Sequence, residues 1–461
     1  MKPRTGPIFA LCVLFAINMM NFFDRLIIGA VGEDIRDAWK ISDTDLGNLG
    51  TAFILLYAAI GIPLGRIADR GNRSRILTVG VFFWSLLTAA CGLARNFWQM
   101  VVLRLAVGVG EATCAPASSS LIGDLFPANR RAKAMGFFML GLPLGNAASF
   151  AVSGYMAANY GWQSAFFVAF IPGLLCAAAA LMITEPVRGQ AEEHAVSTRR
   201  REGSPYWLVL SIPTMCWIIA SGALHNFNMY AIGGFLKSFL VRYHELDKAS
   251  AGNVATVVYG LVGVPGLFLG GWLGDRLYKT RINGRLLVAA TALGLSVPLI
   301  YFALEQPTGQ VLLFSVLFGF GCGLMYTYYS TVYSTVQDVI EPSLRGTAMA
   351  LYFCAMYALG GALGPVGFGK LSQHFTTQAA LDAGVSLAGK TKVEIFDALA
   401  PFAGQGIHQA MYVMPLVNLV LAVVLFLGTR TVAADAERLQ KWMREAAEED
   451  AAERELQRTG A

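Results

Sequence analysis

Gly65-Arg66-Ile67-Ala68-Asp69-Arg70 and Gly271-Trp272-Leu273-Gly274-Asp275-Arg276 each close an apolar run with an Asp-Arg pair, and the two pairs lie 206 residues apart. The echo continues along the chain. Asp124 precedes Arg131-Ala132-Lys133-Ala134-Met135, and Asp338 precedes Arg345-Gly346-Thr347-Ala348-Met349, so that acid and base both recur at an offset of 214. An acid and a base returning at one shared offset mark a duplicated unit. Duplicated halves of apolar helices are a ground plan for proteins that rock about a central site.

Composition places those halves in a bilayer. Of the 461 residues 55% are hydrophobic and 14% are charged, with a mean hydropathy of +0.53. Soluble chains carry about 25% charge, so a soluble enzyme is excluded. Apolar stretches fall at 7–31, 46–66, 75–94, 97–122, 133–158, 162–184, 208–236, 250–273, 284–304, 309–335, 346–370 and 407–429. Runs of about 20 residues match the ~30 Å hydrocarbon core, and lipid offers no partner for open backbone groups, so each is read as a helix. The 49 glycines suit close helix packing. The expected fold is an all-α membrane protein with twelve transmembrane helices in two pseudo-symmetric six-helix bundles.

The polar stretch around Arg199-Arg200-Arg201 divides the spans six and six. The expected units are residues 1–186 and 205–430, a cytoplasmic linker at 187–204, and a cytoplasmic amphipathic tail at 431–461, either lying on the inner membrane surface or solvated, with Leu439, Trp442 and Met443 on one stripe. With both ends inside, 24 of the 35 basic residues fall on cytoplasmic segments and nine on outer loops; Arg25 and Arg104 fall within spans. This asymmetry sets both termini in the cytoplasm, in the cell (inner) membrane. The first span is expected to be retained and not cleaved as a signal. The net charge of +5 reflects orientation and not nucleic-acid binding. The seven cysteines form no CxxC pattern and are read as small buried apolar residues. The long outer loop at 371–406 contains a literal P-loop match, Gly384 to Thr391, but lacks the strand and nucleotide-binding domain that the motif needs. His244-Glu245-Leu246-Asp247-Lys248 ends in lysine where a zinc-protease helix needs a second histidine, so no metal site is read there.

Ionisable groups inside spans are functional by default, because each costs at least about 2.5–3.5 kcal/mol. Asp24 and Arg25 lie in the first span, Arg104 and Glu111 in the fourth. Asn18, Asn21 and Arg25 recur at helical spacing and give the first span a polar face. At ~1.5 Å per residue, Asp24 and Arg104 sit at one depth, about 10 Å below the outer face, and Glu111 two turns deeper with no sequence-local cation.

Gly65 to Arg75 (GRIADRGNRSR) resembles the loop 2–3 signature of the major facilitator superfamily, and the resemblance covers about residues 7–430. Asn21-Phe22-Phe23-Asp24-Arg25 and Arg104 with Gly108-Val109-Gly110-Glu111-Ala112 resemble the spinster branch, the sphingolipid and lysolipid transporters. Sugar-acid carriers of the same superfamily have similar Arg…Gly-x-Gly-Glu spacing. The resemblance implies the major facilitator fold, with spans 1 and 4 lining a central cavity. It makes Asp24 and Arg104 expected partners, Asp24 and Glu111 the proton-coupling pair, and Arg104 with Arg25 the substrate anion site. Asn18, Asn21, His225, Asn228, Tyr326 and Tyr329 would line the cavity. At the inner gates, Asp69 would face the N-terminus of span 11 with Arg70 reaching Asp124, and Asp275, Arg276 and Asp338 would repeat this toward span 5.

The implied function is alternating-access transport, coupled to protons, of an amphipathic anionic lipid such as a lysophospholipid or a sphingosine-1-phosphate-like molecule. No cofactor is expected beyond the coupling proton, and the protein is expected to act as a monomer in the lipid bilayer. A carrier of a small organic anion such as a sugar acid stays open. A lipid-modifying membrane enzyme is disfavoured by the lack of HExxH, GxSxG or a zinc-like cluster.

Overall fold

A computed structural model describes residues 6–187, 204–341 and 344–459; within them the side chains at 62, 65–70, 128–129, 132, 346 and 446–459 are not described. Most of the expected linker therefore lies outside the described residues. Twelve long helical elements follow in order: α1 (Pro7–Trp39), α2 (Asp43–Arg70), α3 (Arg73–Cys91), α4 (Phe97–Leu125), α5 (Lys133–Tyr160), α6 (Gln163–Met182), α7 (Pro213–Arg242), α8 (Lys248–Tyr278), α9 (Gly284–Leu304), α10 (Val311–Val339), α11 (Thr347–Asp382) and α12 (Val413–Thr459). All but α2 and α7 are long and apolar enough to span by length and composition alone. The end carrying the α1–α2, α7–α8 and α11–α12 connections is called the outer end, following the basic-residue asymmetry.

Local sequence sets several of the ends. Asn72 caps α3 by accepting from the Arg75 N–H at 2.9 Å, Asn96 caps α4 from Gln99 at 3.0 Å, and Asp247 caps α8 from Ala249 and Ser250, both at 3.0 Å. Lys40 ends α1 in the left-handed conformation at φ 50°.

The duplication seen in sequence is a duplication of packing. α1 packs on α5, α2 on α4, and α3 on α4 and α6; in the second half α7 packs on α11, α8 on α10, and α9 on α10 and α12. The two bundles meet through α2 against α11, α5 against α8, and α1 against α7. At the outer end these seams are tight. A Cβ on Gly29 would overlap the Gly233 carbonyl, and one on Gly47 would overlap that of Pro365, so glycine permits both close approaches. Wider π turns interrupt three of the seam helices, at Ser149–Ser153 in α5, Thr256–Leu261 in α8 and Met356–Gly361 in α11. Such turns often mark functional positions in helices.

The tail is helical but not a separate element. α12 continues as one helix from Val413 to Thr459, so no separate surface helix begins at 431. Val432, Ala436 and Leu439 are buried while Met443 is exposed, and Asp435 accepts from the Thr214 N–H at 2.9 Å and its hydroxyl at 2.6 Å. The tail's buried stripe thus begins two turns before the expected one, and it docks on the N-terminus of α7.

Candidate functional site

Arg25, near the middle of α1, projects into the seam between the bundles. Its Nε lies 3.2 Å from Glu111 Oε2 on α4, and one terminal nitrogen donates to the hydroxyls of Tyr230 on α7 at 2.9 Å and Tyr357 on α11 at 3.3 Å. Asn21, one turn earlier on α1, donates to the same Glu111 oxygen at 2.8 Å. Aromatic faces enclose the guanidinium: Tyr57 at 4.3 Å, Phe22 at 5.0 Å, Tyr357 at 5.3 Å and Phe53 at 5.6 Å from ring centre to guanidinium carbon. A cation stacked on several rings in a dry site is held well beyond its single ion pair. Glu111 keeps one oxygen, Oε1, buried and without a hydrogen-bond partner.

Asp24 and Arg104 do come together at one depth, but not carboxylate to guanidinium. Arg104 donates to the Asp24 backbone carbonyl at 3.2 Å and stacks over Phe53 at 4.8 Å, while Thr88 donates to Asp24 Oδ2 at 3.3 Å. Asp24 Oδ1 and Arg104 Nε remain unpartnered. The cation that meets Glu111 is the distant-in-sequence Arg25, which the first span brings to it.

The expected cavity residues separate into two groups. Asn21 belongs to the centre. Tyr326 accepts from Asn146 of α5 at 3.0 Å, across the bundle seam, and packs near Tyr329 with ring centres 6.0 Å apart. His225 stacks on Tyr328 at 4.0 Å and meets Tyr329 edge-on at 4.9 Å. Asn18 instead donates to the Phe138 carbonyl at 2.9 Å and ties α1 to α5. Asn228 donates to the Met414 carbonyl at 2.9 Å and to Asn418 at 2.8 Å, both on α12; Asn418 in turn bonds Ser296 of α9 at 2.9 Å. This chain of amides fastens the second bundle internally. Tyr57, Tyr230 and Tyr357 were missed by sequence reasoning. Their only signal was that each is a polar-tipped aromatic within an apolar span.

At the inner end the arginines that open α3 and α9 pair with the motif acids. Arg73, at the start of α3, binds Asp124 and also Glu185, at 2.7 Å, and donates to the Ser120 hydroxyl at 2.8 Å. The side chains of Asp69 and Arg70 lie outside the described residues. In the second bundle Arg285, and not Arg276, links Asp275 at 2.7 Å with Asp338 at 2.7 Å; Arg276 lies over the Trp272 ring at 5.6 Å. Among the described residues both clips join helices of a single bundle. Glu185, just beyond α6, is partly buried, which raises its carboxyl, but the Ser74 N–H and the Arg73 guanidinium prevail and hold it below the usual range.

The outer end holds a network that no motif announced. Arg242 at the end of α7 grips Glu33 of α1, with Nε 3.0 Å from both oxygens, and Asp43 at the start of α2, at 2.8 Å to both. Arg36 reaches Asp43 at 3.2 Å, and Ser372 of α11 donates to Asp43 at 2.6 Å. Glu33, Arg36 and Asp43 are buried, and the Arg242 side chain is only 6% exposed. Two acids and two bases balance there and lock first-bundle α1 and α2 to second-bundle α7 and α11, so the outer mouth is shut.

The Major Facilitator Superfamily profile matches residues 13–365. The chain belongs to the Major Facilitator Superfamily. This transporter is 26% identical over 393 residues to an MFS-type efflux pump of Mycolicibacterium smegmatis, covering 85% of this chain and 89% of that one. It is 29% identical over 381 residues to protein spinster homolog 1 of Xenopus laevis, covering 78% and 72%. Among solved structures it is similar to a bacterial homolog of the human lysosomal transporter Spinster in an inward-facing and unoccupied conformation, with a TM-score of 0.81, 25% identity, and coverage of 94% of this chain and 99% of that one. The superfamily and the apolar helices make the transporter a multi-pass membrane protein.

Proposed function

We propose that this transporter moves an amphipathic anionic lipid, of the lysophospholipid or sphingosine-1-phosphate-like class, by proton-coupled alternating access, with both termini in the cytoplasm. The observation that carries this reading is the bridging position of Arg25. One guanidinium touches Glu111 of the first bundle and Tyr230 and Tyr357 of the second. An anionic headgroup arriving there would compete with Glu111 for Arg25. Protonation of Glu111 removes its claim and leaves the cation for the substrate, which links one proton to one binding event. Tyr57, Phe53 and Phe22 around the same cation suit a molecule that is apolar beside its charge. The similarity to spinster proteins supports the lipid class, and the basic-residue asymmetry supports the orientation. Asp24 is the second carboxylate of the proton pathway, one residue from the cation.

Uptake into proteoliposomes tests the reading. A labelled lysophospholipid should accumulate when a pH gradient is imposed, a hexuronate should not, and Arg25→Ala should abolish the difference. Accumulation of the hexuronate alone would replace the lipid by a small organic anion.

A further inference from the structure

The loop between α11 and α12 is folded and not slack. Thr391 and Glu394 form a reciprocal capping box, and helix Lys392–Leu399 follows it. This short helix reaches over the closed outer mouth. The Phe396 ring lies 4.5 Å from the Arg36 guanidinium carbon and 4.7 Å from Lys40 Nζ, and Asp397 lies 3.5 Å from the same Lys40. Arg36 is the outermost cation of the buried lock, and Lys40 is the left-handed residue that ends α1. The loop is carried by the second bundle, and these three contacts reach α1 of the first.

We propose that helix Lys392–Leu399 is a clasp that holds the outer end of α1 while the outer mouth is closed, and so lengthens the life of that state. Three features of the geometry support it. The contacts cross from one bundle to the other, so opening the mouth by separating α1 from α7 must break them. Phe396 lies against the buried Arg36, whose ion pair with Asp43 is stronger when dry. The capping box fixes the helix start, so the ring and the acid are presented without a large ordering cost at closure. The clasp acts on the closed state and is independent of which substrate the central site takes.

Spin labels at Arg95 and Thr308, on outer loops of the two bundles, would report the outer mouth in the full-length protein. Lys40→Asp and Asp397→Lys should each raise the open population by roughly two- to fivefold, from the loss of one ion pair and part of a cation–π contact. The combined swap Lys40→Asp with Asp397→Lys should return it toward the starting value. Phe396→Ala should open the mouth more than either charge change, while Val393→Ala, an exposed position on the same helix, should leave the distribution unchanged. Distributions unaltered by Phe396→Ala and by both single charge changes would overturn the clasp. So would a swap that fails to restore closure in monodisperse protein.

Discussion

Arg25 Nε lies 3.2 Å from Glu111 Oε2, with both side chains buried at the seam of the two bundles. The pair is fully removed from water, so its effect on stability depends on both partners being present. Breaking a buried pair from one side leaves a bare charge, which costs about 3–5 kcal/mol, whereas replacing both is often close to neutral. The first prediction is that Arg25→Met and Glu111→Gln each lower the unfolding temperature in detergent more than Arg25→Met with Glu111→Gln together. Additive losses would show that the two groups do not act as a pair.

The second prediction concerns coupling. Glu111→Gln should abolish accumulation driven by a pH gradient while exchange of substrate between equal pools survives, since a neutral amide no longer competes for Arg25 in a proton-dependent way. Asp24→Asn should weaken gradient dependence as well. Gradient-driven uptake that persists in both variants would place the proton elsewhere, with His225 the next group to test.

The third prediction separates the two arginines by their geometry. Arg25 meets residues of both bundles, while Arg104 donates to the Asp24 backbone carbonyl and lies over the Phe53 face. Arg25→Lys keeps the charge but not the planar fork, and should weaken a phosphate-headed lysolipid about tenfold or more relative to its dephosphorylated parent. Arg104→Ala should weaken the two ligands equally, through α1. Titration of both ligands on purified variants reads the ratio directly. A larger phosphate-specific loss at Arg104 would return the anion site to that residue.

The fourth prediction follows from the Arg73–Glu185 clip. Glu185 is held below the usual carboxyl range, so its bond stabilises the protein fully above the ordinary glutamate value of about 4.3 and is lost as pH falls through the lower folded value. Glu185→Gln should therefore melt earlier than the parent at neutral pH, and the gap should close as the pH drops below about 4. Thermal scans of the two proteins across a pH series measure that gap. A gap that stays constant with pH would mean that the charge of Glu185 contributes nothing.

Several features of the site were legible in the chain. The offsets of 206 and 214 announced two equivalent halves, and the structure repeats their packing helix for helix. Asp24, Arg25, Arg104 and Glu111 stood out because charge is costly in a span, and all four are buried near the seam or beside α1. Which of them would touch was not legible. The outer lock was hidden for a different reason: Glu33, Arg36, Asp43 and Arg242 read as ordinary charges near span ends, and nothing local to any of them shows that four helices converge there.

The sequence by itself determined the number of spans, the duplication, the capped helix starts and the presence of costly charges at set depths. These follow from local chemistry: the apolar length that crosses a bilayer, the side chains that satisfy open N–H groups, and the rise of ~1.5 Å per residue. Tertiary structure alone decided the azimuth of each helix. Neighbouring residues on a helix point about 100° apart, so adjacent Asp24 and Arg25 cannot share one direction. Periodicity gives their relative angle but not which of them faces the other bundle. That choice was made by packing, which turned Arg25 toward Glu111, Tyr230 and Tyr357, set Arg104 behind it on the Asp24 carbonyl, and aimed Asn228 at α12. The same applies at the inner ends, where Arg73 meets Asp124 and Arg285 meets Asp338, because helix starts α3 and α9 stand beside α4 and α10 in space.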